Sequence, residues 1–124
     1  MKIYFAGRYR DADIFRALGE TLKRNGHEIV SRWIYLNRRA GRAFEVIPVE
    51  EKAEIAREDV EDVHACDILV LLSTPIITIP AGRGGKHVEF GIALALGKRI
   101  CVMGARENVF HWYHRVELFQ NIKW

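Results

Sequence analysis

Two carboxylates in this chain stand where their type and surroundings could do chemistry. Glu89 follows three glycines and two cations in GRGGKHVEFG, residues 82–91, and Asp59 lies in the acidic run REDVED, residues 57–62. Two acids flanking one crevice suit attack on a glycosidic bond. One, ionised, attacks the anomeric carbon; the other, protonated or poised, helps the leaving group depart. Enzymes separate such roles by giving the two acids different surroundings. A helix N-terminus at the glycine turn would favour the anion at Glu89, and a half-buried position would favour neutral Asp59.

Each acid also has a plainer explanation. An acid in the first turn of a helix commonly caps it and offsets its dipole, which is where Glu89 would fall. For Asp59, taking Ala56, Val60 and Val63 as the buried stripe of a helix, its position is about 60° from the stripe centre. Asp62, Glu61 and Glu58 fall at roughly 120°, 140° and 160°. Asp59 alone of the four borders the core, where it could equally be a structural hydrogen-bond acceptor. The other three read as a solvated face.

The glycine stretch matches no standard phosphate loop. A Walker loop needs Ser or Thr after its Lys, and Lys86 is followed by His87. A dinucleotide fingerprint needs Gly where His87 stands and follows the first strand of its fold. What is left is a flexible turn opening a helix, whose free N–H groups favour negative charge.

The elements that must position these acids alternate. Lys2–Ala6 reads as a strand ending at Gly7. A helix starts at Asp11 or Asp13 and runs to Asn25, with Ile14, Ala17, Leu18, Thr21 and Leu22 on its 3.6-residue period. Residues 27–34 alternate as a second strand, and residues 37–48 form an arginine-rich loop. A helix spans Val49–Ala65, an apolar strand residues 67–72, and a proline-punctuated loop residues 74–82. A third helix runs to Leu96, a strand covers Arg99–Met103, and a short helix is expected within residues 112–119. This order predicts an α/β fold: a single-domain, doubly wound parallel sheet (Rossmann-like or flavodoxin-like) of four or five strands flanked by helices. Ligands in such folds sit beyond the carboxyl ends of the strands, which gathers the loops after the first three strands.

At 124 residues, 49% hydrophobic and 28% charged, the chain reads as one soluble domain, residues 1–124. The longest apolar run, Ile68 to Leu72, is too short to cross a bilayer. The first residues, MKIYFAG, lack the parts of a signal peptide. Cys66 and Cys101 show no metal-ligand spacing, and a cytoplasmic location with reduced thiols is expected. The net charge of +3 comes from 13 arginines and 6 lysines against 16 acids. Arg8, Arg10, Arg32, Arg38, Arg39 and Arg42 suit bidentate anion recognition, or form a basic surface balanced by the acidic helix. Nucleic acid is not the expected partner, because no recognition helix or interleaved stacking aromatics accompany them. His111, Trp112, Tyr113 and His114 read as a packing or oligomer contact, with base stacking as the alternative. His64 and His87 read as surface or capping residues, not metal ligands.

Three segments together resemble the nucleoside 2-deoxyribosyltransferase superfamily, which includes nucleoside 5'-monophosphate N-glycosidases. KIYFAGRYRD is similar to its first strand and ligand-contacting loop. EDVEDVHACDILVLLS is similar to its helix–strand segment, with Asp59 eight residues before Asp67. GGKHVEFGIALALGKRICVMG is similar to its G-x-x-x-E-hydrophobic-G-x-A stretch. The resemblance implies that Glu89 is a nucleophile forming a covalent deoxyribosyl-enzyme, and Asp59 a general acid or sugar-positioning partner. Gly7 and its neighbours would line the ligand, with Tyr4 or Phe5 near the base.

It further implies that no metal or organic cofactor takes part, that the partners are a nucleoside or nucleotide and a free nucleobase, and that the protein forms a homodimer or higher oligomer. Transferases acting on free nucleosides often carry Asp six residues before the nucleophile, where this chain has Arg83. Arg83, Lys86, Arg8 and Arg10 around the glycine turn, with Gly85, would suit a 5'-phosphate. Transfer to a base, hydrolysis of a 2'-deoxynucleoside 5'-monophosphate, and non-catalytic nucleotide binding on the same fold are the three alternatives.

Overall fold

The computed structural model describes residues 1–36, 38, 42–73 and 84–124. The strand KIYFA forms β1 (Lys2–Ala6), buried from Ile3 onward. It is joined by β2 (Glu28–Ile29), β3 (Ile68–Leu72), β4 (Arg99–Met103) and β5 (Val116–Leu118). All pair in parallel, in the order β2-β1-β3-β4-β5. The ILVLL run of β3 has no polar residue because it lies mid-sheet, covered on both faces. Three helices complete the layers: α1 (Ala12–Arg24), α2 (Val49–Ala65) and α3 (Gly85–Ala95).

Strand alternation divides the core in two. Ile3, Phe5, Ile68 and Val70 face Phe15 and Leu22 of α1. Tyr4, Ala6, Leu69 and Leu71 face Val63 of α2 and Phe90 and Ala93 of α3. The sheet order places β1 beside β3, so the chain leaves β1 and β3 in opposite directions. A crevice opens at that point, beyond the carboxyl ends of both strands.

The fold class, the helix at Val49–Ala65 and the strands Lys2–Ala6 and Arg99–Met103 are those expected from the sequence. The second strand is much shorter than residues 27–34. After a last backbone bond, from the Val30 N–H to the Ile3 carbonyl at 2.9 Å, its task passes to side chains: Ser31 Oγ accepts from the Phe5 N–H at 3.1 Å, and Trp33 Nε1–H donates to the Phe5 carbonyl at 2.8 Å. The backbone then turns into a 3-10 segment, Arg32–Ile34.

The stripe of α1 is rotated from the expected one. Ala12, Phe15, Gly19 and Leu22 are buried, while Ile14 is 53% exposed. In α2, Ala56 and Val60 face solvent, while Glu58, Asp62 and Val63 are buried. Acids rather than aliphatics face inward there because arginines from outside the helix neutralise them. Where a helix was expected within residues 112–119, a 3-10 turn, Val109–Trp112, precedes β5. Val116 closes the core, and the Arg99–Glu117 ion pair, at 3.1 Å, bridges β4 and β5. The sheet edge left by β4 is thus covered. Among the described residues no helix is long and apolar enough to cross a membrane.

Candidate active site

β1, α2 and α3 bring three of the predicted residues together. Tyr4 points from β1 to the α2–α3 side and is fully buried. Glu89 lies in the second turn of α3, not the first as expected, and the helix opens at Gly84 with φ of 88°. Helical side chains lean toward the N-terminus, and a Cβ placed on Gly85 would be 4.0 Å from Glu89 Oε1. Gly85 therefore leaves the carboxyl uncovered from that direction. Glu89 Oε2 and Tyr4 Oη are both sealed from solvent and have no well-formed hydrogen bond. The two groups are still coupled, since Tyr4 acts on the carboxyl as a donor does.

Burial decides the charge state at this spot. It pushes the Glu89 carboxyl up to about 8; the Tyr4 phenol opposes the rise and the charge of Asp59 adds to it. A helix dipole falls off within the first turn, so the expected stabilisation of the Glu89 anion by the helix N-terminus gives way to desolvation. The Tyr4 hydroxyl is driven well above its ordinary value, first by burial and then by the charges of Glu89 and Asp59. Asp59, half-buried on α2, is pushed up to about 7 by burial and then by Asp62 and Glu58, against the pull of Arg32 and Arg38. Both acids are thus held near neutrality, where either can take or give a proton.

The acidic run is not a solvated face apart from Glu61. Asp62 accepts from the Arg32 backbone N–H at 2.9 Å and from its Nε at 3.0 Å. Glu58 pairs with Arg38, and Glu51 with Arg42 at 2.5 Å. The described arginines that follow β2 are therefore committed to α2, as the balancing-surface alternative held.

The other predicted residues divide. A Cβ on Gly7 would meet Phe15 Cε2 at 2.5 Å, so the end of β1 has room only for glycine against that ring. Phe5 faces away from Glu89: it stacks on Phe15 on the α1 side, with ring centroids 4.8 Å apart. Arg8 is tied to Asp11 through Nε at 3.0 Å and Nη2 at 3.2 Å, leaving a buried Nη1 without a partner. Arg10 is exposed and lines a cleft of about 310 Å³ with Tyr9, Ala12, Asp13, Arg16, Trp33 and Leu36. Lys86 is buried, its Nζ held by Glu107 Oε1 at 2.7 Å and the Leu72 carbonyl at 3.3 Å. Arg83 and the loop predicted over residues 74–82 lie outside the described residues, as do Asn37 and residues 39–41.

His87, Glu107 and His111 converge closely enough to be considered as metal ligands. The donor set does not fit. Glu107 already neutralises Lys86. His111 Nδ1 accepts the Glu107 N–H at 3.1 Å, which leaves the proton on Nε2, the nitrogen a metal would need. His111 is fully buried and packs on Phe90, so this member of the aromatic cluster is a core residue.

Sequence reasoning missed Trp33 and, although it named Arg32 in the basic cluster, did not foresee its grip on Asp62. Their partners, Phe5 and Asp62, are far along the chain, and no local spacing announces such contacts. The excess of arginine over lysine was the one available signal for Arg32.

Comparison with known proteins places this geometry in context. The family model described as nucleoside 2-deoxyribosyltransferase matches residues 3–122. No curated protein sequence gives a significant match. The fold is similar to that of a 2-deoxyribosyltransferase from Bacillus psychrosaccharolyticus, with a TM-score of 0.65 at 19% identity, over 89% of this chain and 79% of that one. It is also similar to the CMP N-glycosidase BcmB of Clostridium botulinum, with a TM-score of 0.62 at 17% identity, over 96% of this chain and 87% of that one.

Proposed function

Because this chain belongs to the nucleoside 2-deoxyribosyltransferase family, we propose that it breaks the N-glycosidic bond of a 2'-deoxynucleoside or its 5'-monophosphate. Glu89 is the nucleophile and Asp59 the proton-carrying partner. One observation carries this reading: a Glu89 carboxyl with one oxygen sealed from solvent and the other left open by Gly85, set against a buried Tyr4 hydroxyl that acts on it as a donor. An acid buried with so little to stabilise its charge is costly to a fold, and a role in chemistry accounts for its presence.

In the first step a Glu89 oxygen bonds to the anomeric carbon as the bond from that carbon to the base nitrogen breaks. Asp59 gives its proton to the departing base. In the second step a free base or a water attacks the same carbon, the ester to Glu89 opens, and the attacker's proton returns to Asp59. The pair needs one proton at the start, the state favoured when both acids titrate near neutrality. Tyr4 steadies the Glu89 anion that forms and re-forms. Tyr9 and Trp33, with ring centroids 6.5 Å apart beyond β1, offer a wall for a planar base.

A 5'-monophosphate hydrolase is the second reading, and Arg8 favours it. Its unpaired, buried Nη1 lies just past the carboxyl end of β1, where an anionic oxygen would complete its bonding.

The test is incubation with deoxynucleosides and their 5'-monophosphates, with and without a second free base. Wild type should release or exchange base and show a mass increase of one deoxyribosyl group with a slow substrate. Glu89→Ala should fold and do neither; full activity in it, or binding without a covalent adduct in wild type, would sink the proposal.

Self-association belongs to the same reading. From Val88 to Gly97 the sequence carries no charge except Glu89, so the outer face of α3 is apolar as well as the inner. Val88 is 64% exposed, and an apolar groove of about 400 Å³ runs beside Phe90, Gly91, Leu94 and Phe110. A helix apolar on every side is normally covered on every side. Light scattering should give a multiple of the chain mass, reduced by Val88→Asp.

A further inference from the structure

Asp59 is governed by burial and by the charges around it, and one residue outside its helix touches nearly every neighbour in its turn. The Arg32 backbone N–H donates to Asp62 at 2.9 Å, and its Nε reaches both Asp62 oxygens at 3.0 and 3.2 Å. Its Nη2 extends to the Glu58 carbonyl at 3.4 Å and to Glu61 Oε2 at 3.1 Å. The next residue, Trp33, donates to the carbonyl of Phe5, which follows Tyr4 on β1. Arg16 of α1 donates to the carbonyl of Ile34 at 2.6 Å. The 3-10 turn Arg32–Ile34 is thus pinned to α1, α2 and β1, spanning from the turn that carries Asp59 to the strand that carries Tyr4.

We propose that Arg32 is a positioning residue for the reaction: it fixes the α2 turn that carries Asp59 against β1 and offsets the acids crowded around that residue. The proposal rests on the roles given to Asp59 and Glu89. The groups facing Asp59 are Glu58 and Asp62 from its own helix, Arg32 and Arg38 from the segment after β2, Glu89 from α3 and Tyr4 from β1. Two cations stand among four other titratable groups. Removing one leaves the acids under-compensated, and Asp59 then holds its proton more tightly. Geometry is a separate contribution, because a planar guanidinium can grip the carboxylate and the backbone carbonyl together and an ammonium cannot.

The experiment pairs pH profiles of kcat/KM with a carbon-13 NMR titration of the Asp59 carboxyl. In Arg32→Gln the Asp59 midpoint and the corresponding limb should move upward by about half a unit or more, and kcat should fall about tenfold. Arg32→Lys should return the midpoint toward wild type while kcat stays reduced. Asp62→Asn, which removes an acid instead, should move the midpoint down, and it decides the matter if Arg32→Gln does not fold. Arg57→Gln, whose partners Glu54 and Glu61 are exposed, should move nothing.

An unmoved Asp59 midpoint in both Arg32→Gln and Asp62→Asn overturns the proposal, and leaves the reaction standing if Glu89→Gln is inactive. Turnover that survives in Glu89→Gln overturns the reaction, while the NMR titration still decides the charge effect of Arg32.

Discussion

The charge of Asp59 on α2 resists ionisation of Glu89 on α3. Helices from separate stretches of the chain, on either side of β3, are thus brought close enough for two acids to feel each other. Burial is the larger cause for each, and it brings Asp59 to about 7 and Glu89 to about 8. Near neutrality the pair holds about one proton, whichever carboxyl carries it.

That shared proton sets the pH dependence of the free enzyme. With both acids ionised no proton is ready for the departing base, and with both protonated there is no nucleophile. The kcat/KM profile should therefore be a bell with limbs near the two values, about 7 and about 8. Initial rates from about pH 5 to about pH 9 measure it, and a flat profile would contradict the assignment.

Stability should carry the same signature with a definite sign. The folded protein holds the Glu89 proton more tightly than the unfolded chain does, with the value raised from 4.5 to about 8. The contribution is fully present below the unfolded value and is lost as pH rises through the folded one. Glu89→Gln removes this titration. Its melting temperature should match wild type at about pH 5 and exceed it at about pH 9, by an amount on the order of a few kcal/mol in stability. An advantage that does not grow with pH would count against a buried, titrating Glu89.

Tyr4→Phe separates the hydroxyl from the ring. The core keeps its packing, and Glu89 loses the group that opposes its raised pKa. The alkaline limb, near the Glu89 value, should move up, and kcat/KM at neutral pH should fall about tenfold for each unit of that shift, because less of the enzyme then holds Glu89 ionised. Unchanged activity would show that the hydroxyl has no part in the reaction.

How much of this was legible depended on distance along the chain. The β-α-β-α-β-α-β order, the ILVLL strand and the spacing of Asp59 before Asp67 are local patterns, and the fold follows from the first two. The second strand misled because residues 27–34 do alternate, but the bonds to Phe5 are made by Ser31 and Trp33 side chains. The α2 stripe misled because Glu58 and Asp62 are buried only with Arg38 and Arg32 beside them, and such partners follow from the tertiary fold rather than from helical period. The dipole argument for Glu89 erred by one turn of helix, enough for burial to prevail.

Lys86 shows how a motif residue can be assigned by its partner. In sequence it adjoins the glycine turn and suits a phosphate; in the fold its ammonium meets Glu107, with side-chain exposures of 9% and 13%. Breaking such a buried pair from one side leaves the other charge stranded, at a cost of about 3–5 kcal/mol. Lys86→Met should therefore lower the denaturation midpoint strongly. The double variant Lys86→Met with Glu107→Gln should recover much of that loss, because the two changes are coupled and not additive. A Lys86→Met protein with wild-type stability and a raised KM for the 5'-monophosphate alone would instead mark the ammonium as a substrate contact. Chemical denaturation and nucleotide kinetics on the same three proteins distinguish the two roles.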